Sequence, residues 1–384
     1  MLRIIACFLM TFISNGLARF GYVVLIPLLI LSGRLTQSES YQLGIAILVG
    51  YIFGSVFISF LQRFASLESI AKFSLFIIAL SFLACSVESM PFVWAWIWRF
   101  IAGGASASLM ILAAPLSLPY TSERRRGSVG GFVFSGIGIG AVVSGFILPT
   151  LVSNSGIDIV WYLLGFVSFC AFIFALFALK TLNPPKPKSN ENHLNFKISL
   201  FLWLLIASYV LNAIGYLPHT LFWVDYLVRD LGVNEILAGA SWAFFGIGAA
   251  LGSLGSGVLS DKIGLKNAHL LVLSFKALSC FIAVCSVDGA WQGIWLNVSV
   301  FIMGFTTTGN VTLTNALALK LTGKEHFAKA SSALTFSFGI AQAVFSFVFV
   351  YTLDFIGYFW LFVLCGICLL ASAVVLLPIS EMRK

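Results

Sequence analysis

IIACFLMTFISNGLARFGYVVLIPLLIL, residues 4–31, is a continuous apolar run with one charge near its middle. A helix rises about 1.5 Å per residue, so the run is long enough to cross the ~30 Å hydrocarbon core of a bilayer. Within it lies Asn15-Gly16-Leu17-Ala18-Arg19-Phe20-Gly21-Tyr22, followed by Pro27. A guanidinium at the centre of a span costs at least ~2.5 kcal/mol on insertion scales. Such a residue faces a protein interior or a water-filled cavity, so the rest of the chain must supply one.

Composition sets the class. The 384 residues are 60% hydrophobic and 9% charged, with a mean hydropathy of +1.03. A soluble chain of this length carries about 25% charged residues. The expected fold is therefore an all-α polytopic membrane protein. Twelve apolar spans are predicted, at 4–31, 42–62, 70–88, 91–119, 128–152, 158–180, 197–226, 236–259, 268–287, 291–317, 328–351 and 356–378. The first run is too long for a cleaved leader and carries Arg19, so it is expected to be a retained span. Twelve spans put both termini and alternate loops on one side. Seventeen Lys and Arg fall there, from Arg3 to Lys384, against Arg34 and Arg229 opposite. The positive side is the cytoplasmic one, so both termini are expected in the cytoplasm, in a cytoplasmic (inner) membrane. The net charge of +8 thus belongs to loops rather than to a nucleic-acid surface.

Thr181 to Asn195, with Asn183-Pro184-Pro185-Lys186-Pro187-Lys188, is the longest polar stretch. Proline and charge make it a semi-extended linker. Three domains follow: a six-helix bundle over 1–180, a linker over 181–196 and a second six-helix bundle over 197–384. The halves echo one another. Gly21-Tyr22 matches Gly215-Tyr216, Gly50 to Ser55 matches Gly248 to Ser253, and Phe100 to Gly103 matches Phe301 to Gly304. A duplicated bundle with a site between its halves is the architecture of secondary transporters.

Gly257-Val-Leu-Ser-Asp261-Lys262-Ile-Gly264-Leu-Lys266 resembles the loop signature of the major facilitator superfamily, with Leu265 at one basic position. Gly257 would allow close helix contact, Gly264 a tight turn, and Asp261 hydrogen bonding at a helix end. In the family this loop latches the halves. The matching first-half loop has Arg63 where the family carries Asp. Arg99 with Gly103 and Gly104 in span 4 resembles a second family element. Gly136, Gly138, Gly140, Gly145 and Pro149 in span 5 partly resemble the glycine-rich helix of antiporters; simple close packing of a glycine face is the other reading. Together with the Arg19 stretch, the Gly50-Tyr51 element and Gly131 to Gly136, these residues resemble the YbfB/YjiJ-type branch of the superfamily. That resemblance implies the twelve-helix fold, solute movement and proton coupling.

Three intramembrane cations, Arg19, Arg99 and Lys276, face at most one acid, Asp225. That imbalance favours an anionic solute. The predicted solute-binding residues are Arg19, Tyr22, Asn15, Arg99, Tyr216 and Asn212. Arg99 has the alternative of a structurally paired or snorkelling cation, and Lys276 that of a snorkelling one. His219 and Asp225 are the candidates for proton coupling, set against a structural histidine and an interfacial cap. The expected function is secondary active transport by alternating access. The alternatives are an efflux pump for hydrophobic or cationic compounds, favoured by the 15% aromatic content, and a transporter-derived sensor, whose sign would be an appended soluble domain; none is seen in this sequence. His-Glu-x-x-His, a Ser/Lys dyad, paired intramembrane Asp and a phosphate loop are missing from the sequence, so no enzyme activity is expected. Cys365-Gly-Ile-Cys368 lies in a lipid-length run and reads as small buried side chains. No cofactor, disulfide or metal is expected. The expected partners are a small-molecule solute and the lipid bilayer, with no nucleic acid, and the protein is expected to be a monomer.

Overall fold

A computed structural model describes residues 1–62, 64–87, 91–117, 126–180, 199–285 and 292–379, and every regular element among them is helical. In order these are α1 (Leu2–Leu31), α2 (Gln37–Leu61), α3 (Leu67–Cys85), α4 (Phe92–Ser117), α5 (Arg126–Ser155), α6 (Ile157–Ala178), α7 (Leu200–Gly215), α8 (Glu235–Ile263), α9 (Leu265–Cys285) and α10 (Gln292–Leu376). Lipid offers no hydrogen bonds, so each span must satisfy its backbone internally, which only helices or closed barrels do. Short polar caps start the helices. Thr36 and Glu39 form a reciprocal capping box on α2, and Ser66, Ser199 and Asn234 accept first-turn amides of α3, α7 and α8.

Nine segments among the described residues are long and apolar enough to cross a membrane, against twelve expected. The differences have local causes. The segment expected as one span over 197–226 is broken. After Gly215, Tyr216 leaves the helical path (φ −93°, ψ −5°), and Pro218 opens the short helix Leu217–Leu221. Proline removes a backbone donor and disfavours helix at the residue before it. Two more short pieces follow, Trp223–Asp225 and a π-helical turn at Tyr226–Asp230. The three spans expected over 291–378 run together as the 85 residues of α10. Straight, that helix would be roughly 130 Å long. It is folded back instead, because Leu317, Ala318, Leu334, Ala373 and Leu376 share one buried cluster with Leu202 and Leu205. Gly357, with φ +67°, makes a reversal that a residue with a Cβ adopts only with strain.

Two polar networks tie the ends of the first half. Arg3 bonds Glu68 at 2.6 Å, the Leu116 carbonyl at 2.7 Å and the Lys180 carbonyl at 3.2 Å. At the opposite end Arg34 pairs with Asp158 and donates to the Ser86 carbonyl at 3.0 Å. These partners come from alternate helix ends, as an up-and-down bundle requires.

The internal echoes of the sequence become matching helix crossings. A Cβ on Gly50 would lie 1.9 Å from the Phe100 carbonyl oxygen, and one on Gly103 would lie 2.1 Å from that of Ile47. In the second half a Cβ on Gly248 would lie 2.3 Å from the Phe301 carbonyl, and one on Gly304 2.1 Å from that of Phe245. The crossings of α2 with α4 and of α8 with α10 therefore use equivalent glycines. Overpacking a well-packed contact costs about 1–3 kcal/mol. Gly50→Val and Gly248→Val should each lower folded yield and the midpoint of thermal unfolding in detergent, and equal stability to the parent would refute these crossings. The proposed linker, 181–196, lies outside the described residues.

Candidate functional site

Helix α1 is not a regular helix around its charge. Residues Phe12–Phe20 form π-helical turns, whose wider spacing leaves backbone groups to other partners and occurs often at functional sites. Glycines let α5 lie against it: a Cβ on Gly140 would lie 2.5 Å from Gly16, and one on Gly136 would lie 2.6 Å from the Phe8 carbonyl. The opposite register of α5 faces the other half. A Cβ on Gly138 would lie 2.3 Å from the Gly246 carbonyl, and one on Gly145 2.4 Å from that of Gly239. The glycine face of α5 is thus a packing surface on both sides, where the halves meet backbone to backbone.

Arg19 projects from the π-helical turns to the boundary between halves. Its guanidinium donates to the Tyr216 hydroxyl, 197 residues away, and lies 5.2 Å from the Phe20 ring and 6.0 Å from the Tyr51 ring. Asn15 lies beside Tyr51. Phe20 in turn packs edge-on against Trp242 and Phe245 of α8. From the other side Lys276 of α9 approaches the same tyrosine, its Nζ 5.0 Å from the ring centre. Lys276 donates to Asn212 Oδ1 at 2.8 Å and is 1% exposed. It does not snorkel. Among the described residues neither Arg19 nor Lys276 has a carboxylate within ion-pair distance. The space lined by Arg19, Gly44, Leu217, Thr220 and Gln342 has a volume of about 10 Å³, room for one water.

The predicted site residues are divided by the fold. Arg19 meets Tyr216, and Asn212 meets Lys276. Tyr22 lines the same space as Arg19, while its ring carries Arg99 inside the first half. Arg99 is 1% exposed, stacks 4.3 Å over the Tyr22 ring and donates at 2.9 Å to the Ala18 carbonyl in the π-helical turns. Tyr22 spends its hydroxyl on the Ser40 carbonyl at 2.9 Å. The cavity contact read for Arg99 from sequence is replaced by a brace on α1. Arg99→Gln should leave Ala18 short of a charge-assisted hydrogen bond, a loss of about 1.5–3 kcal/mol. Thermal unfolding would register it, and solute affinity per folded molecule should stay within about threefold, well short of the tenfold that 1.4 kcal/mol represents.

His219 and Asp225 are not neighbours in a shared site. His219 is buried in the second half, stacked on Trp223 at 4.8 Å, with Nε2 2.9 Å from Ser299 Oγ. Asp225 is buried at the boundary between halves, 1% exposed, rather than capping a helix at the membrane surface. One of its oxygens, Oδ2, accepts from Tyr41 of α2 and from Tyr358 of α10, whose hydroxyls are 3.0 Å apart. Arg229 Nη1 lies 3.5 Å from the same oxygen, and its Nη2 donates to Gln37 Oε1 at 2.8 Å. Gln37 reaches Asp354 at 3.5 Å. Asp225 Oδ1 has no hydrogen-bond partner among the described residues. Outside this cluster is a cleft of about 190 Å³ lined by Gln37, Arg229, Asp230, Asp354 and Tyr358. Burial, then the charge of Asp225, holds the Asp230 carboxyl above the usual carboxylate range. The cluster clasps the two halves at the end of the bundle that holds Gly33 and Gly357. Tyr41 and Tyr358 gave no signal in the sequence, since tyrosines near span ends are ordinary membrane-interface residues.

The loop from Gly257 to Lys266 reads differently in space. Gly264 has φ +85° and ends α8, as the turn requires. A Cβ on Gly257 would meet nothing within 4 Å, so that glycine permits no close helix contact here. Lys262 is exposed; the Asp261 side chain and Arg63 lie outside the described residues.

Known proteins fit this architecture. The fold is similar to that of a peptide transporter POT solved in complex with sulfate (TM-score 0.76, 13% identity, 98% of this chain and 93% of that one). It is also similar to a POT family transporter in complex with a thioalcohol-conjugated peptide (TM-score 0.78, 12% identity, 97% and 95%). In sequence, the aspyridones efflux protein apdF of Emericella nidulans is 24% identical over 229 residues, 58% of this chain and 45% of that protein. The MFS-type transporter pytF of Aspergillus terreus is 24% identical over 165 residues, 42% and 55%. The chain thus spans about half the length of the curated relatives it matches. Residues 11–377 match the family described as uncharacterised MFS-type transporter YbfB, and the chain belongs to that family of membrane transporters.

Proposed function

We propose that the protein is a secondary active transporter that moves a small anionic solute across the cytoplasmic membrane by alternating access, coupled to protons. The observation that carries the anionic reading is the pair of cations, Arg19 and Lys276, brought to one tyrosine at the boundary between halves with no carboxylate at ion-pair distance among the described residues. Lys276 is buried and Arg19 half-buried; a cation withdrawn from water and served by neutral groups is costly, and an anion would offset that cost. Alternating access is supported by the fit of the halves, which touch backbone to backbone through glycines along α5 and α8. Proton coupling is assigned to Asp225, where proton uptake would remove the charge that Tyr41, Tyr358 and Arg229 share. His219 is left out, since its partners all lie in its own half. Both termini are placed in the cytoplasm on the asymmetry of Lys and Arg.

The test is flux into proteoliposomes preloaded with candidate anions, with and without a pH gradient. Exchange of anions that depends on the protein is the expected result. Movement of a cationic dye, sensitive to Asp225→Asn and indifferent to Arg19→Gln, would replace this reading with efflux of cationic or hydrophobic compounds. The efflux named for one relative supports that second reading.

A further inference from the structure

Tyr216 occupies the place where an anion would bind. Its hydroxyl takes the guanidinium of Arg19, and its ring takes the ammonium of Lys276 at 5.0 Å. It stands at the first of two breaks in this segment, between Gly215 and Pro218, with the second at Phe222. Broken helices of this kind line the substrate sites of transporters. The space beside Arg19 is about 10 Å³, too small for a solute in this conformation. The two cations are also different in kind. Arg19 offers a planar fork suited to a carboxylate, whereas Lys276 is a point charge that donates to Asn212 Oδ1. Arg19 meets the hydroxyl of Tyr216 and Lys276 lies over the face of its ring, so the two cations approach one side chain from different directions and can serve two anionic groups of one solute.

We infer that the site takes a short dicarboxylate, one carboxylate on Arg19 and the other on Lys276, and that Tyr216 is a plug the solute displaces. This rests on the anionic reading above and narrows it to two anionic groups. Tyr216→Phe removes the plug's hold on Arg19 while keeping its ring, so it should bind the dicarboxylate several-fold more tightly.

The experiment is titration calorimetry on the purified full chain with succinate, glutarate, butyrate and inorganic phosphate. It is repeated with Arg19→Gln, Lys276→Met, Lys276→Arg and Tyr216→Phe, each checked for monodisperse elution. Succinate or glutarate should bind at least tenfold more tightly than butyrate. Lys276→Met should remove that advantage and leave butyrate unchanged, and Lys276→Arg should restore most of it. Equal affinity for butyrate and the dicarboxylates, or tighter binding of phosphate, would overturn the two-group proposal and leave the anionic reading standing. Failure of all four anions to bind, or binding indifferent to Arg19→Gln, would overturn both. Should Lys276→Met not fold, Lys276→Arg and Tyr216→Phe decide: loss of the dicarboxylate preference in the first, or weaker binding in the second, rejects the plug.

Discussion

Arg19→Gln is expected to reduce anion exchange in proteoliposomes by roughly ten- to a hundredfold, from the 1.5–3 kcal/mol that a charge-assisted hydrogen bond contributes. The glutamine keeps most of the arginine's methylene stem and a polar head, though it is too short to reach the Tyr216 hydroxyl, so the surrounding packing should be largely spared. What it loses is the positive charge and the planar fork that the proposed anion site depends on. Lys at the same position should recover part of the rate, since it restores charge without bidentate geometry. The contrast with Arg99 is the internal control. Both are intramembrane arginines, but Arg99 is enclosed by Tyr22 and the Ala18 carbonyl inside one half. Its loss should appear in stability rather than in flux. If Arg99→Gln proved as damaging to transport per folded molecule as Arg19→Gln, the distinction between brace and site would fail.

Asp225→Asn should open the clasped end of the molecule. In the structure one carboxylate oxygen holds a tyrosine from each half and stands 3.5 Å from Arg229. Hydrogen bonds to a charged acceptor contribute about 1.5–3 kcal/mol each and neutral ones about 1. Removing the charge therefore weakens the clasp by about 1–4 kcal/mol, a shift of roughly five- to several hundredfold in a two-state equilibrium. A cysteine pair at Gln37 and Asp354 reports the change, because those side chains approach across the halves at 3.5 Å. With exposed Cys170 and Cys285 replaced by Ser, cross-linking yield should fall several-fold in Asp225→Asn and by less in Tyr41→Phe. Cross-linking that ignores the substitution would remove Asp225 from the coupling mechanism.

Much of the architecture was legible in the sequence for reasons that are local. A span announces itself by twenty or so apolar residues, because lipid tolerates nothing else. The echo of Gly50 and Gly103 in Gly248 and Gly304 was visible because close helix crossings demand glycine wherever they occur. The cost of Arg19 was equally legible, since no reading of residues 4–31 leaves that charge in lipid. The broken span was half legible: Pro218 lies within the apolar run 197–226, but a count of apolar residues is blind to the break a proline makes.

Composition and spacing by themselves determined a helical membrane bundle, its internal repeat and one helix that must carry its charge inward. Only the tertiary structure decided which side chain meets that charge. Adjacent helical residues point about 100° apart, so a small rotation of α7 decides whether Tyr216 or a neighbour reaches Arg19. The same holds for Asp225, whose partners Tyr41 and Tyr358 lie 184 and 133 residues away in the chain. Contacts of that range are set by how two bundles pack, a property of the whole surface between them and of no single stretch.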